Sequence, residues 1–201
     1  LKELVELKNH FGAYLIIDEA HGTGVFGEHG RGVSELLGVS GDIDIHIGTL
    51  SKAVGTLGGF VAGKKELINY LVNFSRPFIF STALPASVCA AAISAFDMIE
   101  QKPEIRKRLW QNVDSLLTGL KKTGAPVLAS QSPILPIVLG DEKKALEMSQ
   151  ALFEKGFFVP AVRYPTVGKG KARLRLTVSA AHTAEEIDKF PAAFAQAYGC
   201  L

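Results

Sequence analysis

Two segments decide the fold: LIIDEAHGTGVFGEHGRG at residues 15–32 and DIDIHIGTLSKAVGTLGGFVAG at residues 42–63. Each begins with a short apolar run, and each run stops at polar or small residues that the interior of a buried strand would not accept. In α/β proteins the carboxyl ends of neighbouring parallel strands lie at one edge of the sheet, where ligands bind. We therefore expect an acid, an imidazole, two hydroxyls and a lysine to meet in one crevice: Asp18, His21, Thr49, Ser51 and Lys52.

Length and charge limit the classes of function. The chain has 201 residues, of which 47% are apolar, so it can bury the core of one domain or of one and a half. Its net charge is +2 and 21% of its residues are charged, which leaves no basic stripe of the kind that neutralises a phosphate backbone. Nucleic acid is therefore a poor candidate partner.

The cysteines and the chain start give further expectations. Cys89 and Cys200 are the two cysteines of the chain, and they lack the spacing of a disulfide framework or a metal site, which favours a reducing, cytoplasmic location. No apolar run is long enough for a membrane span, so no membrane partner is expected. Residues 1–10 have the spacing of an amphipathic helix rather than of a signal peptide, so we expect the chain to begin inside a domain.

Periodicity and turn residues predict the remaining elements. In the first part we expect strands at 14–17, 43–47, 58–62 and 78–80, helices at 63–72 and 85–99, and a helical turn at 34–37. The 85–99 helix is apolar on nearly all faces and is predicted to be buried against the sheet or against a partner subunit. A helix from Pro103 leads to the turn at 124–126, and then we expect strands at 134–139, 157–162 and 173–178 and helices at 142–155 and 184–198. Thr183 and Glu186 have capping-box spacing, while Pro191 should kink or shorten the last helix.

The residue types at the strand ends are enough to suggest chemical roles for these side chains. A carboxylate such as Asp18 at the end of a buried strand needs a cationic partner, because an unpaired buried charge costs about 3–5 kcal/mol. A ligand cation, a helix cap or a structural salt bridge would each meet that need. Lys52 follows an apolar strand and is flanked by hydroxyls, a position suited to a nucleophilic amine. Glu19 is expected to support the loop.

The motifs around these residues resemble the α-oxoamine synthases, which are pyridoxal-phosphate (PLP) enzymes of aminotransferase fold type I. The family's D-E-A-H-x-x-G and T-x-S-K-A patterns stand here at residues 18–24 and 49–53. The similarity continues through GRG at 30–32, GGF at 58–60, FSTALP at 80–85 and RLTVSAAHT at 175–183. It spans nearly the whole chain.

The resemblance implies a fold and an assembly. The expected fold is the α/β fold of the PLP-dependent transferases, which is similar to that of aspartate aminotransferase. Residues 1–124 would be the carboxyl-terminal part of the large, PLP-binding domain with its mixed sheet, and residues 125–201 the small carboxyl-terminal domain. Family subunits are considerably longer, so this chain would be the carboxyl-terminal half, and the resemblance leaves an active and an inactive fragment as alternatives. A homodimer with sites shared between subunits is expected.

The resemblance also implies roles for the cofactor-binding residues. Asp18 would hold the protonated ring nitrogen of PLP, and His21 would contact its ring hydroxyl. Lys52 would bind the cofactor covalently and, once released, remove the substrate α-proton. Thr49 and Ser51 would bind the phosphate. Ser81 and Thr82 would reach the phosphate of the neighbouring subunit's cofactor, although their position before Pro85 is also typical of a simple helix-start turn.

Arginines are the candidates for substrate binding. Arg175 would bind the carboxylate of an amino acid with its planar fork, and Arg163 and Thr166 belong to a segment that the family associates with substrate binding. Arg173 alternates with Arg175 and should share its face of the strand. Surface ion pairs are the alternative for each of these arginines.

The implied reaction is a decarboxylating condensation of an amino acid with an acyl-CoA. Two family members remain alternatives: one condenses L-alanine with a pimeloyl thioester, and the other joins glycine to an acetyl group. The second tends to have GTLGKALGG as its lysine loop, whereas Ser51 stands here in place of the glycine.

Two interpretations of other classes remain open. LIIDEAH is also typical of a DEAH-type P-loop ATPase, in which a strand-end Asp-Glu binds magnesium, but that class needs a GxxxxGK segment followed by Ser or Thr, and these residues contain none. The chain could also be a folded remnant that binds nothing, whose exposed apolar sheet would aggregate.

Overall fold

The computed structural model describes residues 1–199, so Cys200 lies outside the described part of the chain. The chain divides into two compact units, Leu1–Arg106 and Lys107–Leu201. The division falls inside a long helix, whereas the sequence placed the boundary at residue 124, two residues after that helix ends. No helix within residues 1–199 is long and apolar enough to cross a membrane.

The first unit is built on a three-stranded mixed sheet in the order β1-β2-β3. Strand β1 (Ile16–Asp18) is parallel to β2 (Ile45–Thr49), and β3 (Gly59–Gly63) is antiparallel to β2 on its other side. The predicted strands at 14–17, 43–47 and 58–62 are thereby confirmed within two residues. Because β1 and β2 are parallel, their carboxyl ends lie at the same edge of the sheet.

Helix α1 (Lys2–Phe11) ends as its sequence predicts. Gly12 adopts φ 60°, a left-handed conformation that glycine accepts without steric cost, and its N–H donates to the carbonyl of Asn9. Val5 is the buried residue of the helix, and it packs with Val39 and Ile43 in one hydrophobic cluster. The helix therefore packs against the segment that leads into β2.

The remaining helices of this unit are α2 (Val33–Leu36), α3 (Lys65–Phe74), α4 (Arg76–Ile79) and α5 (Ala86–Gln101), with a 3₁₀ turn at Ser40–Asp42. The predicted strand at 78–80 is wrong. The N–H groups of Phe78 and Ile79 donate to the carbonyl of Ser75, which makes α4 a helical turn. Three apolar residues in a row are too few for periodicity to separate strand from helix.

The helix predicted at 85–99 is mostly exposed within this unit, so its predicted burial against the sheet is wrong for most of its length, and burial against a partner subunit stays a prediction. Only Ala92 is buried among the residues of α5, where it packs with Leu50 and Val54, while the side chain of Ile93 is 64% exposed. Apolar composition shows that a surface prefers burial, but it does not show that anything within the same unit covers it.

The second unit has an antiparallel sheet in the order β4-β6-β5. Its elements are α6 (Pro103–Lys122, which begins four residues before the unit does), β4 (Ile134–Gly140), α7 (Glu142–Glu154), β5 (Ala161–Val162), β6 (Ala172–Thr177) and α8 (Ala184–Tyr198). The predicted strand at 157–162 is reduced to two residues. The others are confirmed.

The sheet and the helices both contribute side chains to the core of the second unit. Its most deeply buried apolar side chains come from α6, β4, α7, β6 and α8: Leu120, Leu135, Ile137, Met148, Leu152, Leu174 and Phe194. Pro191 does not shorten α8, which continues to Tyr198. The ring of Pro191 is buried against Gly119 of α6, where an added Cβ would lie 2.6 Å from its Cγ. Close packing of α6 and α8 therefore accommodates the proline.

Candidate active site

The carboxyl ends of β1 and β2 form the centre of the site. Asp18 is the last residue of β1 and Thr49 the last of β2, and Asp18 is the register partner of Ile47. Thr49 therefore lies two positions beyond Asp18 along the same edge of the sheet. The segment 50–58 then returns to β3 and carries Ser51 and Lys52. The expected meeting of these side chains at one edge agrees with the observed topology.

Asp18 is exposed, so the expectation that its charge is buried is wrong. One carboxylate oxygen, Oδ1, accepts the backbone N–H of Ala20 at 2.8 Å. The other oxygen, Oδ2, has no hydrogen-bond partner among residues 1–199. The strand ends at the surface of this unit, which removes the cost of an unpaired buried charge and leaves one oxygen available to a ligand.

Glu19 is the buried carboxylate of the DEAH segment, with 5% of the residue exposed. Its Oε2 accepts the N–H of Val33 at 3.0 Å, and its Oε1 accepts the N–H of Ser34 at 2.9 Å. These are N-terminal amides of α2, where a negative charge is favourable. The prediction that Glu19 supports the loop is confirmed.

The backbone of Glu19 holds the turn that contains His21. Its carbonyl accepts the N–H groups of Gly22 and Thr23, both at 2.8 Å, and the hydroxyl of Thr23 at 3.0 Å. A Cβ at Gly22 would lie 1.9 Å from Oε2 of Glu19, so only glycine fits over this carboxylate. The turn presents His21 as an exposed residue three positions after Asp18.

Thr49 and Ser51 form a pair of hydroxyls beside Lys52. Their oxygens, Oγ1 of Thr49 and Oγ of Ser51, lie 2.8 Å apart, and the N–H of Ser51 donates to Oγ1 of Thr49 at 3.2 Å. Oγ1 of Thr49 is also 3.2 Å from the carbonyl of Gly58. Lys52 is exposed and forms no ion pair within residues 1–199. The segment thus places two hydroxyls and an amine within four consecutive residues.

Ser81 and Thr82 lie in the exposed segment between α4 and α5. The hydroxyl of Ser81 donates to the carbonyl of Pro77, which is a local turn contact. Their role towards a neighbouring subunit remains a prediction.

The predicted substrate-binding residues belong to the second unit. Arg163 and Thr166 are exposed in the connection between β5 and β6, where the N–H of Thr166 donates to the carbonyl of Arg163 at 2.9 Å. Arg175 is exposed on β6, and Arg173 is half-buried two residues earlier. The alternation of buried and accessible residues along β6 confirms that these two arginines share a face.

Glu35 holds the loop before α2 in place, a role that the sequence did not predict. Its carboxylate accepts the N–H groups of Arg31 at 2.9 Å and His29 at 3.1 Å, and lies 2.6 Å from Nδ1 of the His29 ring. Burial raises the pKa of Glu35, but these hydrogen bonds and the charge of His29 outweigh it and lower the pKa below its ordinary value. No spacing rule connects a carboxylate to a loop four to six residues before it.

The sequence did not predict the role of Arg106 either, because no spacing rule connects this residue to its partners. This buried guanidinium donates to the carbonyls of Glu28 and Ile99 and so attaches the loop at residues 22–32, which contains five glycines, to the end of α5. Glu28 is 78 residues from Arg106 in the sequence, and only the fold brings them into contact.

The comparisons with known proteins agree with this geometry. The family model of the aminotransferases of class I and II matches residues 1–194, so the chain belongs to this family. Among curated proteins it is similar to the 8-amino-7-oxononanoate synthase of Thermosipho melanesiensis, with 47% identity over 188 residues, which are 94% of this chain and 48% of the relative. The chain thus spans about half the length of the curated relatives that it matches.

Solved structures show the same fold. A serine palmitoyltransferase from S. paucimobilis with bound PLP–myriocin aldimine has a TM-score of 0.94 at 37% identity, over 100% of this chain and 51% of that one. The 8-amino-7-oxononanoate synthase of Francisella tularensis has a TM-score of 0.84 at 28% identity, over 100% of this chain and 59% of that one. The predicted fold of the PLP-dependent transferases is confirmed, and the family match rules out the alternative of a P-loop ATPase.

Proposed function

We propose that the chain is part of a PLP-dependent acyltransferase that condenses L-alanine with pimeloyl-CoA, with loss of carbon dioxide, to give 8-amino-7-oxononanoate for biotin biosynthesis. The single observation that carries the proposal is the placement of Asp18 and the Thr49–Lys52 segment at the same edge of two parallel strands. The similarity to synthases of that name supports the choice of substrates.

The residues present fit PLP. The cofactor has a ring nitrogen that is protonated when it pairs with an acid, an aldehyde that reacts with an amine, and a phosphate that accepts hydrogen bonds. This edge of the sheet offers an exposed carboxylate with one oxygen unengaged, an exposed amine and two hydroxyls 2.8 Å apart. Each group of the cofactor therefore has a chemically matched side chain.

Bound PLP supplies an electron sink for a carbanion at the substrate α-carbon. Oδ2 of Asp18 would hold the proton at the ring nitrogen, because a carboxylate there favours the charged form of the ring. His21 would donate to the ring hydroxyl from the turn that Glu19 holds. Nζ of Lys52 would hold the cofactor covalently and would take the α-proton of the amino acid. Asp18, His21 and Lys52 would thus be the catalytic residues.

The hydroxyls of Thr49 and Ser51 donate to the phosphate. Both can rotate their protons towards an anion, since hydroxyl groups turn freely about the Cβ–O bond.

We further propose a homodimer in which Ser81 and Thr82 reach the phosphate of the partner subunit's cofactor. Large apolar side chains in the segment before them support an interface there, because Phe74, Phe78 and Phe80 are 65%, 65% and 77% exposed. Equilibrium sedimentation of the protein should report a dimer.

Substrate binding is assigned to the second unit. Arg175 grips the carboxylate of the amino acid through two parallel N–H donors, with Arg163 and Thr166 in the segment that contacts substrate. In the condensation, the α-carbon of the amino acid would bond to the thioester carbon and coenzyme A would leave as the thiol. The amino-acid carboxyl group would then leave as carbon dioxide, and a proton would replace it on the α-carbon.

The first experiment tests the cofactor and Lys52. The protein is mixed with PLP, reduced with borohydride, digested and mapped by mass spectrometry. We expect the PLP mass on Lys52 and none of it in Lys52→Ala. Lys65→Ala, which removes an exposed lysine at the start of α3, should label as the original protein does. Labelling spread evenly over surface lysines would contradict the assignment.

The second experiment tests the substrates. Product formation is measured with alanine or glycine and with pimeloyl-CoA or acetyl-CoA, in all four combinations. We expect product from alanine and pimeloyl-CoA. Product from glycine and acetyl-CoA alone would instead assign a glycine C-acetyltransferase, which shares the catalytic residues.

We also propose the cytoplasm as the location. Cys89 is an exposed free thiol on α5, and free thiols persist in reducing compartments. Fractionation of cells that express the tagged protein, with a periplasmic marker as control, tests this placement.

A further inference from the structure

Positive charge is concentrated in one segment of the second unit. Residues 155–184 contain no Asp or Glu, whereas they contain six cationic side chains: Lys155, Arg163, Lys169, Lys171, Arg173 and Arg175. The whole chain has a net charge of only +2, so the rest of it is net negative. Residues 67–96 are equally long and also lack acids, but they contain one cation, Arg76, so the number of bases distinguishes residues 155–184.

The fold gathers five of these cations on one hairpin. Strands β5 and β6 pair antiparallel, with Val162 opposite Arg173, and the N–H of Arg175 donates to the carbonyl of Pro160 at 2.9 Å. The connection 163–171 carries Arg163, Lys169 and Lys171, all exposed. The charges therefore lie on one connection and on the accessible face of one strand.

The neighbours of these charges do not neutralise them. The register partner of Arg173 on β4 is Val138, and that of Arg175 is Pro136, so the shared face offers no carboxylate. Asp141, which follows β4, already accepts the N–H of Lys144 and caps α7. None of the five cations forms an ion pair within residues 1–199.

Local contacts orient the groups. Nε of Arg173 donates to the carbonyl of Lys171 at 3.0 Å, which leaves both terminal nitrogens of the guanidinium for a ligand. Nζ of Lys169 lies 5.4 Å from the centroid of the Tyr164 ring. Gly170, at φ 71°, lets the chain turn between the two lysines. The hairpin thus places the planar guanidinium of Arg173 and the ammonium groups of Lys169 and Lys171 close together along the backbone.

We propose that Lys169, Lys171 and Arg173 bind the phosphate groups of the acyl-CoA donor. This inference rests on the proposed function, in which Arg175 binds the amino-acid carboxylate and coenzyme A carries the acyl group. A carboxylate needs one cation, whereas the nucleotide end of coenzyme A carries a 3′-phosphate and a diphosphate. Three adjacent cations match that larger charge, and a guanidinium fork with point-like ammonium groups is a suitable combination for phosphate oxygens.

The test measures binding of coenzyme A directly, so that it does not depend on turnover. Coenzyme A, 3′-dephospho-coenzyme A and pantetheine are titrated calorimetrically into the PLP-loaded protein. We expect the affinity to fall in that order as phosphate is removed. In Lys169→Ala/Lys171→Ala the Kd for coenzyme A should rise about tenfold or more, with that for pantetheine unchanged, and the difference should shrink in about 0.5 M salt.

A control with the same change in net charge distinguishes the loss of a specific binding site from a general loss of positive charge. Lys121→Ala/Lys122→Ala removes two exposed lysines from the end of α6 and should leave the Kd for coenzyme A within about twofold. Circular dichroism verifies that both double variants are folded. Equal Kd values for coenzyme A in the two double variants, or no preference of the original protein for coenzyme A over pantetheine, would overturn the proposal.

Three further results distinguish the sources of phosphate and the two levels of inference. If vesicles of phosphatidylglycerol bind the protein and lose binding in Lys169→Ala/Lys171→Ala while coenzyme A binding stays unchanged, a lipid headgroup is the ligand and the proposal is wrong. If the protein forms no condensation product but the double variant still weakens coenzyme A binding, the proposed reaction fails while this site stands. If product forms and coenzyme A binding is unaffected, only this inference fails.

Discussion

Oε1 of Glu19 lies 2.9 Å from the backbone nitrogen of Ser34, which joins the turn after β1 to the first turn of α2. Both residues are buried, and the same carboxylate also accepts the N–H of Val33. The backbone on either side of Glu19 carries Asp18 and His21. A buried carboxylate that touches no proposed substrate group therefore holds the two residues that would contact the cofactor ring.

Glu19→Ala should destabilise the protein by about 2–4 kcal/mol, because it leaves the N–H groups of Val33, which is part-buried, and Ser34, which is buried, without an acceptor. Glu19→Gln keeps one acceptor oxygen and should cost about half as much. Urea unfolding followed by circular dichroism measures both. Glu6→Ala, on the exposed side of α1, is the control and should change stability by less than about 0.5 kcal/mol. Identical losses for Glu19→Ala and Glu6→Ala would contradict the assigned contact.

Gly48→Ala should destabilise the protein by about 1–3 kcal/mol. A Cβ at Gly48 would lie 2.3 Å from Cζ of Phe60, whose ring also packs edge-on against Phe96 with centroids 5.8 Å apart. The ring therefore has little room to move away. Thermal unfolding compares this variant with Gly41→Ala, where no atom lies within 4 Å of the added Cβ. Adding Phe60→Leu should restore part of the loss, and a wild-type melting temperature for Gly48→Ala would refute the packing argument.

Stability should decrease as the pH falls below about 4.5, partly through Glu186. The backbone N–H of Thr183 donates to this carboxylate at 2.8 Å and its hydroxyl at 3.0 Å, and these bonds lower the pKa of Glu186 below its ordinary value of 4.5. A lowered pKa in the folded state means that the stabilisation is complete above the unfolded-state pKa and is lost as pH falls through the folded-state pKa. Melting temperatures between pH 7 and pH 3 measure the effect.

Glu186→Gln tests this pH effect, because it removes the titrating carboxylate. Between pH 7 and pH 3 its melting temperature should decline less than that of the original protein. Asp188→Asn, which removes an exposed acid from the same helix, should decline as the original protein does. Parallel curves for all three proteins would show that the capping carboxylate does not contribute.

Asp18→Asn should lower kcat of the condensation by about 10²–10³-fold, because a neutral amide no longer favours the protonated ring nitrogen. Borohydride should still fix PLP to Lys52, since that bond does not involve Asp18. Steady-state kinetics with alanine and pimeloyl-CoA give the rate, and Asp42→Asn supplies an exposed acid of the same unit as control. A rate for Asp18→Asn equal to that of Asp42→Asn would remove Asp18 from the mechanism.

Much of the site could be predicted because its signals are local. The apolar runs before Asp18 and Thr49 predict strands, and polar residues directly after a strand mark its carboxyl end. Gly12 and the Thr183–Glu186 capping box mark helix ends for the same reason, since the contacts that decide them lie within a few residues. The exposure of Asp18 and of α5 could not be predicted, because burial depends on what else packs nearby.

The sequence alone determined which residues end the strands and which chemical groups they offer, because strand period and turn preferences act over short distances. The tertiary structure decided which of those groups share an edge, through the parallel pairing of β1 with β2, and which carboxylate is buried, Glu19 rather than Asp18. It also decided that Arg106 holds a loop 78 residues away. Long-range contacts of this kind are set by the packing of the whole unit, which no single stretch of residues encodes.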